Sequence, residues 1–81
     1  MSPDEISLKI ESALPGATVR VGSDDGVHFS ALVVAPQFSG LPALARHQLV
    51  YRALGGAVGG VIHALSLDTA TPEEWARRAG G

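Results

Sequence analysis

The 81-residue sequence contains no cysteine, and only 17% of its residues are charged and 5% aromatic. Without cysteine the chain can form neither a disulfide nor a zinc–thiolate site, so its hydrophobic core has to provide the stability. A chain this short has room for one core, and we expect a single domain over residues 1–81. The sequence also lacks the motifs of nucleophilic and nucleotide-dependent catalysis, so we do not expect an enzyme.

Positive charge is also scarce. Six Lys and Arg residues stand against eight Asp and Glu residues, which gives a net charge of −2. A domain that mainly binds nucleic-acid phosphates usually carries the opposite sign. No apolar run approaches the roughly 20 residues of a membrane span, and the N-terminus lacks the basic start of a signal peptide. We therefore expect a cytoplasmic protein that binds no membrane.

The N-terminal half of the chain predicts one helix and two strands. Ser2 and Glu5 form a capping box that starts the helix, and Pro15 ends it. The helix repeats apolar residues at the spacing of one buried face, which are Ile6, Ile10 and Leu14. Two strands follow, over 18–21 and 27–34, and the turn between them makes them an antiparallel hairpin.

The C-terminal half continues with a helix over 43–54 and a strand over 61–67. At 100° per residue the helix has one apolar stripe, which consists of Ala43, His47, Val50, Leu54 and Val58. Arg46, Gln48, Leu49 and Arg52 fall on the polar side. The strand is apolar on both of its faces, which predicts that both are at least partly covered. Thr71 and Glu74 then repeat the capping box before a last short helix.

These elements predict an α+β fold in the order α-β-β-α-β-α. The helical crossover makes the second and third strands parallel. We therefore expect a three-stranded mixed sheet packed with helices, in the arrangement of class II KH domains.

Short motifs in a fixed order extend over nearly the whole chain. They are His28-Phe29, Phe38-Ser39-Gly40, Arg46-His47-Gln48-x-Val50-Tyr51, Ile62-His63-Ala64-Leu65 and Thr71-Pro72-Glu73-Glu74-Trp75. Together they resemble the BolA family, and the linked set is far more specific than any one motif. The resemblance implies the same KH-like fold.

The resemblance also implies an adaptor that binds a monothiol glutaredoxin and takes part in the binding, trafficking or sensing of a [2Fe–2S] cluster. In BolA–glutaredoxin complexes the histidine of the Ile-His-Ala-Leu motif is a cluster ligand, which here is His63. Imidazole is a competent ligand for such clusters. The cluster is then shared with glutaredoxin and glutathione, and we expect none on the isolated chain, which is a monomer or a weak homodimer.

The second family ligand usually comes from the loop between the first two strands, as a cysteine or a histidine. Here that loop, residues 22–26, contains neither. The available substitutes are Asp24, Asp25 and the adjoining His28, of which we expect His28. His47 lies on the helix stripe, and we expect it to be a packing residue.

Another function attributed to this family is DNA binding by a transcriptional regulator of stress and morphology genes. Such a regulator would use Arg46, Arg52 and Lys9 on phosphates. The net charge of −2 and the lack of a basic stripe argue against it. A third interpretation is a small structural module without a ligand.

Overall fold

The computed structural model describes residues 2–55 and 65–80. In these ranges the elements are α1 (Pro3–Ala13), β1 (Thr18–Gly22), β2 (Phe29–Val34), a 3₁₀ turn (Pro36–Phe38), α2 (Ala43–Leu54), β3 (Leu65–Ala70) and α3 (Pro72–Gly80). The predicted α+β class and the order of helices and strands are confirmed. The finer comparison with class II KH domains stays a prediction.

The sheet has the strand order β1-β2-β3, with β2 in the centre. β1 and β2 are antiparallel, with Val19 opposite Val33. β2 and β3 are parallel, with Phe29 opposite Leu65. Parallel neighbours need a crossover connection, and α2 lies in the connection between them. β2 and β3 therefore begin at the same end of the sheet, next to the β1–β2 loop.

The core lies between one face of the sheet and the two helices α1 and α2. Its buried side chains come from α1, β2, the 3₁₀ turn and α2, and include Ile6, Ile10, Leu14, Phe29, Ala31, Val33, Phe38, Val50 and Leu54. The buried face of α1 and its capping box are as expected, because the Ser2 hydroxyl accepts a hydrogen bond from the Glu5 N–H at 3.2 Å. Phe38 of the 3₁₀ turn is completely buried, so it anchors this connection to the core.

The opposite face of the sheet is largely open. Ser66 and Asp68 of β3 are exposed, as are Arg20 and Ser30 on the neighbouring strands. The prediction that the third strand is covered on both faces is therefore wrong for its described part. The physical reason is that α1 and α2 pack on the same side of the sheet.

Two strand boundaries differ from the prediction. β2 begins at Phe29 instead of residue 27, because the N–H groups of Val27 and His28 bond to the Asp25 side chain. β3 runs from Leu65 to Ala70 instead of over 61–67, and residues 61–64 lie outside the described residues. Asp68, Thr69 and Ala70 lie beyond the predicted end of the strand, but they pair with β2 and continue it.

Helix α2 is rotated relative to the predicted stripe. Val50 and Leu54 are buried as expected, but Leu49 and Ala53 also pack against the core, and Ala43 is exposed. The residues facing inward follow the spacing i, i+3, i+4, i+7, i+8, which are Arg46, Leu49, Val50, Ala53 and Leu54. The predicted stripe is phased from Ala43, and because Ala43 is exposed, Arg46 and Leu49 fall on the wrong side of it.

Leu54→Ala should lower the free energy of unfolding by about 2–5 kcal/mol, because the change leaves a cavity in the core. Leu49→Ala should lower it less, since the Leu49 side chain is half-buried. Leu44→Ala is the matched control, with Leu44 69% exposed on the same helix. Urea unfolding of the three variants tests this, and equal losses for Leu49→Ala and Leu44→Ala would contradict the observed rotation of α2.

Candidate functional site

The β1–β2 loop folds around the carboxylate of Asp25. One oxygen, Oδ1, accepts hydrogen bonds from the N–H groups of Val27 and His28, each at 2.8 Å. The other, Oδ2, lies 2.7 Å from Nδ1 of the His28 ring. Aspartate side chains commonly bond the backbone two residues further on and so stabilise a turn. The same carboxylate therefore shapes the loop and holds the histidine ring.

Ser23 closes the loop on itself. Its Oγ accepts a hydrogen bond from the Gly26 N–H at 2.8 Å and donates to the His28 carbonyl at 2.7 Å. Gly26 has φ +75°, a left-handed conformation that glycine takes without strain. The side chains of Ser23 and Asp25 thus bond to the backbone throughout the second half of the loop.

The hydrogen bonds to Asp25 determine its charge and the state of the His28 ring. The bond to the His28 side chain, and then the two backbone N–H groups, hold the pKa of Asp25 well below its usual range. An ionised carboxylate only accepts hydrogen bonds, so Nδ1 of His28 is the donor. In the neutral ring Nε2 then carries the lone pair, on a side chain that is 73% exposed.

A shallow depression of about 340 Å³ lies beside His28 at the end of the sheet where β2 and β3 begin. Its lining residues are Gly22, Ser23, Asp24, His28, Phe29, Ser30 and Ser66. Two of the predicted loop ligands, His28 and Asp24, therefore border one site, and Asp25 holds the first of them. The predicted ligand His63 lies outside the described residues.

The side chains at this site are too few to hold a metal cluster without ligands from a partner. Within residues 2–55 and 65–80, no three histidine, aspartate or glutamate side chains are grouped so that they could hold a metal ion. His28 offers one imidazole nitrogen, and both oxygens of Asp25 are engaged in the loop. The described residues therefore fit a cluster only where a partner provides its remaining ligands.

Arg46 is largely buried and already paired, so it is not available to bind phosphates. Its side chain is 12% exposed, and its guanidinium makes two hydrogen bonds to the Glu74 carboxylate, the shorter at 2.7 Å. Its Nε donates to the Leu41 carbonyl at 2.8 Å, and the group lies over the Phe38 ring. The predicted position of Arg46 on the polar side of the helix is therefore wrong, because this residue links α2 to α3.

The other predicted residues are more accessible. Arg52 on α2 and Lys9 on α1 are exposed. His47 is half-buried, with its ring edge-on to Tyr51 at a centroid distance of 6.5 Å.

None of the described helices is both long and apolar enough to cross a membrane.

The model of the family described as "BolA-like protein" matches residues 1–74. The chain belongs to the BolA family. The resemblance seen in the sequence motifs is thereby confirmed.

Several relatives of this BolA-like chain have descriptive names. BolA-like protein 1 of Homo sapiens is 41% identical over 75 residues, which cover 93% of this chain and 52% of that protein. The DNA-binding transcriptional regulator BolA of Vibrio cholerae is 44% identical over 68 residues, 84% of this chain and 62% of that protein. The acid stress protein IbaG of Escherichia coli K12 is 37% identical over 78 residues, 95% of this chain and 92% of that protein. The chain spans about half the length of BolA-like protein 1. None of these three names describes an enzyme.

Solved structures of BolA proteins share the fold. A BolA homologue from Coxiella burnetii has a TM-score of 0.83 and 45% identity, covering 95% of this chain and 99% of that one. The BolA domain of SufE1 from Arabidopsis thaliana has a TM-score of 0.76 and 30% identity, covering 89% and 93%. Yeast Fra2 has a TM-score of 0.74 and 28% identity, covering 95% and 86%.

Two contacts at the candidate residues of this BolA-like chain were not predicted from its sequence. The pairing of Arg46 with Glu74 joins residues far apart in the sequence, and no local pattern in the sequence indicates it. The bond between Asp25 and His28 is local, and an aspartate in a turn three residues before a histidine is its signal. The capping box of Thr71 and Glu74, in contrast, is confirmed.

Glu74→Gln should remove part of the acid sensitivity of the fold. The hydrogen bonds from Arg46, and then the one from the Thr71 N–H, lower the pKa of Glu74 from 4.5 to about 2. Because the folded pKa is depressed, the stabilisation is present above pH 4.5 and is lost as the pH falls toward about 2. The variant should be less stable at neutral pH and show a flatter fall in unfolding free energy across that window. Urea unfolding at a series of pH values measures this, with Glu73→Gln as the exposed control.

Proposed function

We propose that this BolA-like chain is a cytoplasmic adaptor that binds a monothiol glutaredoxin. In that complex it contributes histidine ligands to a [2Fe–2S] cluster shared with the partner and glutathione. His63 is the first of these ligands and His28 the second. The cluster is cargo of the complex, and the adaptor takes part in its binding, trafficking or sensing.

The observation that carries the proposal is the 2.7 Å contact between Nδ1 of His28 and Oδ2 of Asp25. The ionised Asp25 carboxylate accepts a hydrogen bond from Nδ1–H, so the neutral ring has an unprotonated Nε2 on an exposed side chain. Metal-binding histidines usually donate their other ring N–H to a carboxylate or carbonyl, which orients the ring. The His28–Asp25 pair has this arrangement on a chain without cysteine.

The positions of the two histidines in the sequence also support them as a pair. His28 directly precedes Phe29, and His63 stands two residues before Leu65. Phe29 and Leu65 are paired across β2 and β3 at the end of the sheet that carries the β1–β2 loop. In the sequence, the β1–β2 loop directly precedes one member of this pair, and the motif that contains His63 ends at the other.

The chemistry of the donors requires a partner. [2Fe–2S] clusters are normally held by thiolates, with histidine replacing two of them in one class of centre. This chain has only imidazole and carboxylate groups to offer, since cysteine is absent. Glutaredoxin and glutathione provide the thiolates in the proposed complex. A BolA domain also occurs as part of SufE1, which supports the use of this fold as one component of larger systems.

His63→Ala should remove the visible spectrum that distinguishes the mixed complex from the glutaredoxin homodimer, because a cluster ligand is lost. The complex is assembled from the purified chain, a monothiol glutaredoxin, glutathione, iron and sulfide, and followed by absorption and circular dichroism. His28→Ala should change the spectrum in part. His47→Ala is the control from α2, and it should lower stability while leaving the spectrum of the folded fraction unchanged.

A wild-type spectrum in the His63→Ala complex would overturn the assignment of the first ligand. Far-ultraviolet circular dichroism of each variant confirms that loss of the spectrum does not reflect loss of the fold. If His28→Ala leaves the spectrum unchanged while His63→Ala abolishes it, the second ligand is not His28 and Asp24 becomes the candidate.

The second candidate function is DNA-binding transcriptional regulation, which the name of the Vibrio cholerae relative favours. Arg46 is already paired with Glu74, which leaves Arg52 and Lys9 of the predicted set for phosphates. We therefore expect weak binding, with a log–log salt slope of magnitude about 2 or less. Fluorescence anisotropy of labelled DNA over a series of salt concentrations measures the slope. A sequence-specific complex that survives physiological salt at nanomolar protein would favour the regulator.

A further inference from the structure

We infer that Asp25 is a positioning residue, which holds Nδ1 of His28 so that Nε2 is the nitrogen presented for coordination. The inference extends the proposed function and rests on it for the nature of the ligand that His28 meets. It also separates the roles of the two neighbouring aspartates, both of which are candidate ligands from sequence.

Backbone hydrogen bonds of the loop hold the carboxylate of Asp25 in place, in addition to its contact with the His28 ring. Oδ1 bridges the N–H groups of Val27 and His28, both at 2.8 Å, and this leaves Oδ2 directed at the His28 ring at 2.7 Å. The backbone of His28 and its side chain are thus bound by the same carboxylate. Rotation of the ring about its bonds to the backbone would break the contact with Oδ2.

Asp25 is poorly suited to bind a metal itself. Coordination by either of its oxygens would compete with hydrogen bonds that close the turn or hold the ring. A carboxylate on the far nitrogen of a coordinating histidine selects its tautomer and increases its basicity. Asp25 therefore serves the site through His28, whereas Asp24 lines the depression beside it.

Ser23 makes this arrangement independent of a partner. Its Oγ binds both the Gly26 N–H and the His28 carbonyl, so the loop segment that carries His28 is bonded within itself. A ligand held in its productive orientation before binding loses less conformational freedom on complex formation. The isolated chain should therefore already have the ring state that the complex requires.

Asp25→Asn is the sharpest test, because the asparagine has nearly the same shape. Its one oxygen can keep the two backbone hydrogen bonds, which places the amide NH₂ toward the ring. The NH₂ group donates, so Nδ1 of His28 must become the acceptor and the ring hydrogen moves to Nε2. Asp24→Asn removes the same charge from the adjacent residue and is the matched control.

The first measurement is made on the isolated, ¹⁵N-labelled chain by long-range ¹H–¹⁵N correlation at a pH where the ring is neutral. The wild type and Asp24→Asn should show the hydrogen of His28 on Nδ1, and Asp25→Asn should show it on Nε2. A wild-type ring with its hydrogen on Nε2, or the same tautomer in Asp25→Asn as in the wild type, would overturn the inference. Amide chemical shifts of the loop establish that the turn is retained.

The second measurement uses the complex with monothiol glutaredoxin and glutathione. Asp25→Asn should reproduce the spectral change caused by His28→Ala, while Asp24→Asn should keep the wild-type spectrum. A wild-type spectrum for Asp25→Asn, in a complex that His28→Ala changes, would overturn the positioning role. Expected tautomers without formation of any mixed complex would contradict the proposed function and support the role of Asp25 in orienting the ring.

Discussion

The parallel pairing of β2 with β3 determines where the remaining parts of the chain lie. Parallel strands start at the same end of a sheet, so the chain has to cross back over the length of the sheet between them. Helix α2 lies in this return, and it shares the core face with α1. The register that sets Phe29 opposite Leu65 then brings the beginning of β3 to the β1–β2 loop. The core and the candidate site thus follow from a single strand pairing.

The ion pair between Arg46 and Glu74 adds a polar constraint at the edge of this core. The side chain of Arg46 is only 12% exposed, so its guanidinium has lost much of its hydration. In place of water it donates two hydrogen bonds to the Glu74 carboxylate and one to the Leu41 carbonyl. Such pairs contribute little net stability, but removing one partner is costly because the other charge remains without compensation. The pair therefore specifies how α3 docks on α2 more than it strengthens the fold. The same carboxylate also caps α3 through the Thr71 N–H, so one side chain starts the helix and positions it.

Local signals in the sequence predicted those parts of the fold that local physics decides. The capping box of Ser2 and Glu5 and the buried face of α1 needed only neighbouring residues. The rotation of α2 did not follow from its own sequence, because a buried arginine is acceptable only where a distant acid faces it. The start of β2 was missed for a similar reason, since the Asp25 side chain takes the N–H groups that would have extended the strand. The candidate ligand His28 could be named from the family pattern, but its ring state depends on a contact that the pattern does not include.

The lack of cysteine gives this contact its significance. A thiolate ligand is anionic and binds through its only sulfur, whereas a histidine has two nitrogens, of which only the unprotonated one coordinates. A chain that relies on imidazole must therefore control the ring hydrogen as well as the position of the ring. In the β1–β2 loop one carboxylate does both, because the bonds that shape the turn also orient Oδ2 toward Nδ1. Since the loop is short and bonded to itself through Ser23, this control needs no residue from elsewhere in the fold. The loop thus offers a single neutral donor whose orientation is set by the loop itself, and in the proposed complex the thiolates of the partner would complete the ligand set.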